Sequence, residues 1–355
     1  MFLALKELKH AKQKFALIIS VVVLVSYLVY FLTALAYGLA SSYTNAVNKW
    51  DSESLIMTVD ANDNLMMSFM TETDYNNTTV NGDKAKLGLF PAVIKNPQAV
   101  ENIDTRLNIY LFGIENNSFI KPKDSNETLI DNKVIVSDEL KKNGYQIGDM
   151  IAISGSDLEL EIMGFSEKAT YQTAPVIYMA LSTWQSHRFS TNTPPDLFSG
   201  LIIRGDISNI KGELATYTID EYILTLPGYT AQVLTFTIMI VFLIIIVAFV
   251  LGIFVYVLTI QKTSIFGVMK AQGVSNGYIA GSVIIQTLFL VAIGIITGLI
   301  LTEITALFLS DIVPLARNIL FYIIITFAFF LFALFGGLFS VSAVLKIDPL
   351  KAIGG

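Results

Sequence analysis

Four apolar runs, residues 15–40, 230–260, 278–307 and 319–345, each reach or exceed the ~20 residues a helix needs to cross a bilayer, and they constrain the chain before anything else does. In lipid every backbone polar group must be satisfied internally, so segments of this length and composition fold as helices. The second and third runs are separated only by the polar hinge 261–277, which therefore lies at a membrane face. Within it Ile265, Phe266, Val268 and Met269 fall at roughly helical spacing, Lys262 and Lys270 flank them, and Gly273 stands where a helix C-cap would. Two readings are open: a short amphipathic helix that presents itself to a cytoplasmic partner, or a basic loop that only fixes topology.

At 54% hydrophobic and 15% charged, the 355 residues read as a membrane protein with a sizeable soluble part. The chain has no Cys, which excludes disulfides and thiolate sites, and a formal charge of −6, which removes the electrostatic case for nucleic acid. Two histidines, His10 and His187, are too few for a His-rich metal site.

Residues 1–14 carry Lys6, Lys9, Lys12 and Lys14 against Glu7 and form an N-terminal amphipathic helix, cytoplasmic by the positive-inside rule. The run that follows is too long for a signal-peptide core and reads as an uncleaved anchor, with cleavage after Ala34-Leu-Ala36 as the alternative. Residues 41–229 change to the composition of a soluble domain, and after an N-in first span they lie outside. Strands are expected at 54–59, 107–112, 133–136, 150–153, 158–163, 175–179 and 200–204, with short helices from Ser137 and Ser182. The polar stretches 62–86 and 190–195 read as loops. Basic residues mark the N-terminus, the hinge and the tail 346–355, whereas the outer loop 308–318 has no basic excess. The fold class is thus a membrane protein of four transmembrane α-helices, with one α+β extracellular domain between spans one and two and both termini cytoplasmic. Gly294 and Gly298 match a small-xxx-small contact face, open to use between chains or within one. Glu303 is a carboxylate near the outer end of span three, read either as a functional intramembrane acid or as an interfacial, solvated one.

The segment Ser264-Ile-Phe-Gly-Val-Met-Lys-Ala-Gln-Gly-Val-Ser275, the tail Val344-Leu-Lys-Ile-Asp-Pro-Leu-Lys-Ala-Ile353 and the pre-span stretch Leu3 to Lys14 resemble the FtsX/MacB class of ABC transporter permeases. Ile265 stands where that class often has an acidic residue. Within the class, the opening Met1-Phe-Leu-Ala, the stretch Tyr43 to Asp51 and Pro227-Gly-Tyr-Thr-Ala-Gln-Val233 resemble the small HrtB-like heme-exporting permeases of Gram-positive bacteria.

The resemblance implies a homodimer in the cell membrane working with two copies of an ABC ATPase, docked on Ile265, Phe266, Met269, Lys270 and Gly273. No Gly-x-x-x-x-Gly-Lys-Ser/Thr occurs in the chain, so ATP would be bound by the partner and no enzymatic role is expected here. No intrinsic cofactor is implied; heme is the implied substrate. Heme needs an apolar slot, an axial ligand and polar groups for its propionates, and Tyr, Met and His are the ligands available. Tyr229 is the first candidate for iron, followed by Tyr171 and His187, with Tyr30 and Tyr37 on one face of span one, Met239 on span two and Arg188 for a propionate. Span one also offers Tyr27 and Thr33 and span two Thr235 and Thr237, and Arg204 stands with Arg188 for a propionate, with surface charge as the competing role of both arginines. The competing role for each tyrosine is an interfacial belt residue. Export of an antimicrobial peptide or lipid, or FtsX-like signalling to an extracellular partner, would suit the same topology.

Overall fold

The computed structural model describes residues 12–95, 106–125, 127–130, 132–189, 196–310 and 312–345. Most of the expected pre-span helix, the loop 190–195 and the tail 346–355 lie outside them. The described residues form two compact units, one of residues 39–232 and one of the remaining N- and C-terminal segments.

The soluble unit is built after α1 (Lys12–Asn48) from β1 (Ser54–Thr58), β2 (Met70–Thr71), α2 (Glu72–Asn77), β3 (Thr79–Lys95), β4 (Arg106–Ile114), β5 (Lys133–Ser137) and α3 (Glu139–Lys142). It continues through β6 (Met150–Ala152), β7 (Glu159–Ser166), β8 (Thr170–Tyr171), β9 (Ala174–Ala180), α4 (Leu181–Phe189), β10 (Leu197–Phe198), β11 (Gly200–Asn209), β12 (Leu214–Thr218) and α5 (Ile219–Thr225). One mixed sheet runs β12-β1-β11-β3-β4-β9-β5-β7-β6, with β8 on β9. Only the β4–β9 and β5–β7 pairs in it are parallel.

Alternation along the strands divides the core in two. Leu55, Met57, Phe112, Tyr178 and Ile202 pack on one face with Ala46, Val47 and Trp50 from the end of α1 and with Tyr222 of α5. Ile56, Leu111, Ile177, Met179 and Leu201 pack on the other, under Trp184 of α4. Gly88 and Gly113 pair directly across β3 and β4, and a Cβ on either would lie 2.4–2.5 Å from Trp184. The two glycines form the slot that the indole fills.

Two sequence expectations change here. The stretch 62–86 is not one loop: it holds β2, α2 with its Thr71–Asp74 capping box, and the first half of β3. The first helix continues past residue 40 to Asn48, because Ala46 and Val47 gain burial against the sheet although the polar residues around them end the hydropathic run.

The membrane unit contains α6 (Tyr229–Ile260), α7 (Thr263–Ala271), α8 (Asn276–Leu309) and α9 (Ile319–Leu345). With α1, the three long ones give four helices of sufficient length and apolarity to cross a bilayer. Val22 and Ser26 of α1 pack against Gly294 and Gly298 of α8, where a Cβ would meet Val22 Cγ1 at 2.4 Å and Ser26 Oγ at 2.1 Å. The small-residue face is therefore used inside the chain. Glu303 pairs with Arg317, which anchors the segment between α8 and α9; the Ala316 amide of that segment donates to the Ala34 carbonyl at 3.1 Å. In α6 only Val247, Leu251, Val255 and Thr259 are buried, a single stripe at four-residue spacing.

Candidate functional site

Tyr229 opens α6 after a tight turn in which its amide donates to the Leu226 carbonyl at 3.1 Å and Gly228 takes a left-handed φ of +82°. The turn brings the Tyr229 ring to 5.8 Å from that of Tyr43 on α1. Tyr43 is held in turn by the β8–β9 connection: its carbonyl accepts from the Gln172 amide at 3.0 Å, and the neighbouring Ser42 carbonyl accepts from Thr173 at 3.2 Å. Gln172 and Thr173 both adopt positive φ to make these contacts. The Gln172 side-chain oxygen accepts from the Tyr110 hydroxyl at 2.9 Å. Tyr110 packs edge-on against Tyr171 at 4.9 Å, and the Tyr171 and Tyr222 hydroxyls lie 2.6 Å apart. Five tyrosines thus converge at one end of the soluble unit. Beside them opens a cleft of about 430 Å³ lined by Asp60, Asp63, Leu65, Tyr171, Tyr222 and Pro227, within the range of small-molecule sites.

The candidates separate on this geometry. Tyr171 is buried, and burial raises its phenol well above the ordinary value against the smaller effect of the Tyr222 hydrogen bond. Its hydroxyl is paired with that of Tyr222, and Tyr171 serves here as a core hydrogen-bonding residue. Tyr30 is fully buried between spans, its hydroxyl 2.6 Å from Thr326 and its ring against Tyr322 and Phe329. It is committed to packing within the chain and offers no face to a ligand. Tyr37 is half-buried, edge-on to Phe321 at 5.9 Å, and Met239 is exposed on α6.

His187 and Arg188 sit on α4, which packs on the opposite sheet face from the tyrosines. Burial and then the adjacent Arg188 lower the His187 pKa and favour the neutral ring, whose Nδ1 is 3.3 Å from Ser156 Oγ. The Arg188 guanidinium lies 4.4 Å from the Phe90 ring and 5.4 Å from that of Phe69. Arg204 donates to the Asp51 and Trp50 carbonyls at 2.9 and 3.2 Å and so braces the end of α1. None of the three joins the tyrosine group. Sequence reasoning passed over Tyr222, although Thr218-Ile-Asp-Glu221 is the capping box that starts its helix.

The hinge forms the short helix α7. Its end is a Schellman motif: the Gly273 amide donates to Lys270, the Val274 amide to Met269, both at 3.0 Å, and Gly273 has φ +87°. Phe266 and Met269 face inward with Val255, Ile279 and Val283. Ile265 and Val268 face outward, 53% and 44% exposed. The apolar residues of the hinge therefore divide between two faces and do not form one stripe, which leaves an exposed apolar ridge three residues apart on a helix at the end of a span.

Residues 237–349, which hold α7 and the last two spans with most of α6, match the family described as FtsX-like permease C-terminal. A relative from Staphylococcus epidermidis, named "Putative hemin transport system permease protein HrtB", is 26% identical over 365 aligned positions that cover 100% of this chain and 99% of the relative. One of the same name from Staphylococcus haemolyticus is 25% identical over 362 positions, with the same coverage. The matched stretch coincides with three of the helices that are long and apolar enough to cross a bilayer.

Proposed function

We propose that the chain is the permease subunit of an ABC-type efflux pump that takes heme, or a similarly amphipathic molecule, from the membrane and releases it outside, driven by a separate ATPase. In this reading it is a homodimer with two ATPase copies, both termini are cytoplasmic and the soluble unit is extracellular. The observation that carries it is the end-to-end similarity to relatives whose name is hemin transport system permease. The exposed Ile265–Val268 ridge of α7 supports docking of an ATPase, and the basic N-terminal segment supports the orientation. Tyr229, with Tyr43 beside it, is the proposed contact for heme, since the hydroxyls of Tyr30 and Tyr171 are engaged elsewhere.

The test is ATP-dependent loss of heme from lipid vesicles that contain the chain and its ATPase. A complex that hydrolyses ATP but moves no heme contradicts the substrate, and points to peptide or lipid export or to signalling.

A further inference from the structure

Lys262 lies in the two-residue turn between α6 and α7, and its side chain turns back into the helix bundle. Its ammonium donates to Gln286 Oε1 on α8 at 3.0 Å and lies 5.4 Å from the Phe15 ring centroid on α1. Gln286 is 6% exposed. With its oxygen committed to Lys262, its Nε2 finds no acceptor among the described residues. Beside it is a cavity of about 10 Å³ lined by Val255, Thr259, Lys262, Val283, Gln286 and Thr287, the space of a single water. The Thr259 and Thr287 hydroxyls each donate one turn back, to Val255 at 2.8 Å and Val283 at 2.9 Å.

We propose that Lys262 and Gln286 form the pivot through which α7 moves the spans, with Lys262 as the positioning residue. Lys262 caps the start of α7, its carbonyl accepting from Phe266 at 2.9 Å, while its side chain holds α8. A displacement of α7 therefore reaches α8 through this hydrogen bond as well as through the packing of Phe266 and Met269, and reaches α1 through the Phe15 contact. An amide buried among apolar helices is costly where leucine would pack, and the pivot accounts for its presence. This deepens the permease reading and rests on it.

The test uses the permease–ATPase complex in lipid vesicles and measures heme moved per ATP hydrolysed for wild type, Lys262→Met, Gln286→Leu and the double variant, with Lys211→Met on the soluble unit as control. Each single change lowers the ratio about tenfold, as expected for a lost charge-assisted hydrogen bond. The double variant is no worse than the poorer single one, because the two side chains act as a unit. In parallel, amide exchange over residues 263–271 of the purified chain quickens about tenfold in both single variants. An unchanged ratio in both single variants, or losses that multiply in the double one, overturns the pivot. If the wild-type complex moves no heme, the substrate reading fails by itself; the exchange measurement then decides the pivot, and unchanged protection overturns it.

Discussion

The Ser26 hydroxyl donates to the Gly294 carbonyl at 3.1 Å, and one turn further along α8 the backbone of Gly298 lies directly against the same serine. Two spans distant in sequence approach this closely only because both α8 positions lack a side chain. Gly298→Leu forces α1 from α8, and overpacking of this kind costs about 1–3 kcal/mol. The expected result is a lower melting temperature in detergent and early aggregation on size exclusion; wild-type behaviour in both would mean that the helices do not pack here.

Trp184 fills the slot left by Gly88 and Gly113 and is fully buried. Trp184→Ala should destabilise the soluble unit by about 3–5 kcal/mol, measured by denaturant unfolding. Gly113→Ala should also destabilise it, since its Cβ would fall 2.5 Å from the Trp184 Cβ. Trp184→Phe, which leaves a smaller void, should cost less than Trp184→Ala.

Much of this fold was legible in the sequence, and the exceptions share a physical cause. The strands at 107–112, 133–136, 175–179 and 200–204 announced themselves by β-branched and aromatic runs. β3, the longest strand at 17 residues, did not: its first half is polar, with Lys84 and Lys86, and Gly88 and Pro91 interrupt the second. Pro91 is tolerated because β11 pairs with β3 only up to Leu87, so Pro91 has no partner on that side. The candidate site was half legible. Tyr229 stood at the mouth of an obvious span, but its companions Tyr43, Tyr110 and Tyr222 come from three distant elements. Tyr30 read correctly as part of a helix face, yet periodicity cannot say which neighbour that face meets.

Asp124 carries a pH signature. Burial raises its pKa, but hydrogen bonds from Lys49, the Glu167 amide and Ser166 outweigh that and leave it below the ordinary carboxylate value. A carboxyl depressed in the folded state contributes stability above its unfolded pKa of about 3.9, and the contribution is lost as pH falls through the folded value. The soluble unit should therefore lose stability on acidification below about pH 4. Asp124→Asn should cost about 1–3 kcal/mol at neutral pH and flatten that acid dependence, as read from melting temperature against pH. An unchanged acid profile would remove Asp124 from the account.

Inward and outward residues of α7 should respond differently to substitution. Ile265→Asp and Val268→Asp leave the chain folded and abolish co-purification with the ATPase, because they place charge on the exposed ridge. Phe266→Ala, deep in its packed cluster, lowers thermal stability by about 3–5 kcal/mol. Retained ATPase association in both Asp variants would place the docking surface elsewhere.

The most direct test of the central claim is a heme titration of the purified permease by visible absorption, comparing wild type with Tyr229→Ala and Tyr229→Phe. Wild type should show a saturable Soret shift that is weakened in both variants. The Phe variant loses only the Tyr229 hydroxyl and keeps the ring that lies beside Tyr43. No saturable shift in wild type, or an identical titration in all three, contradicts heme binding at Tyr229.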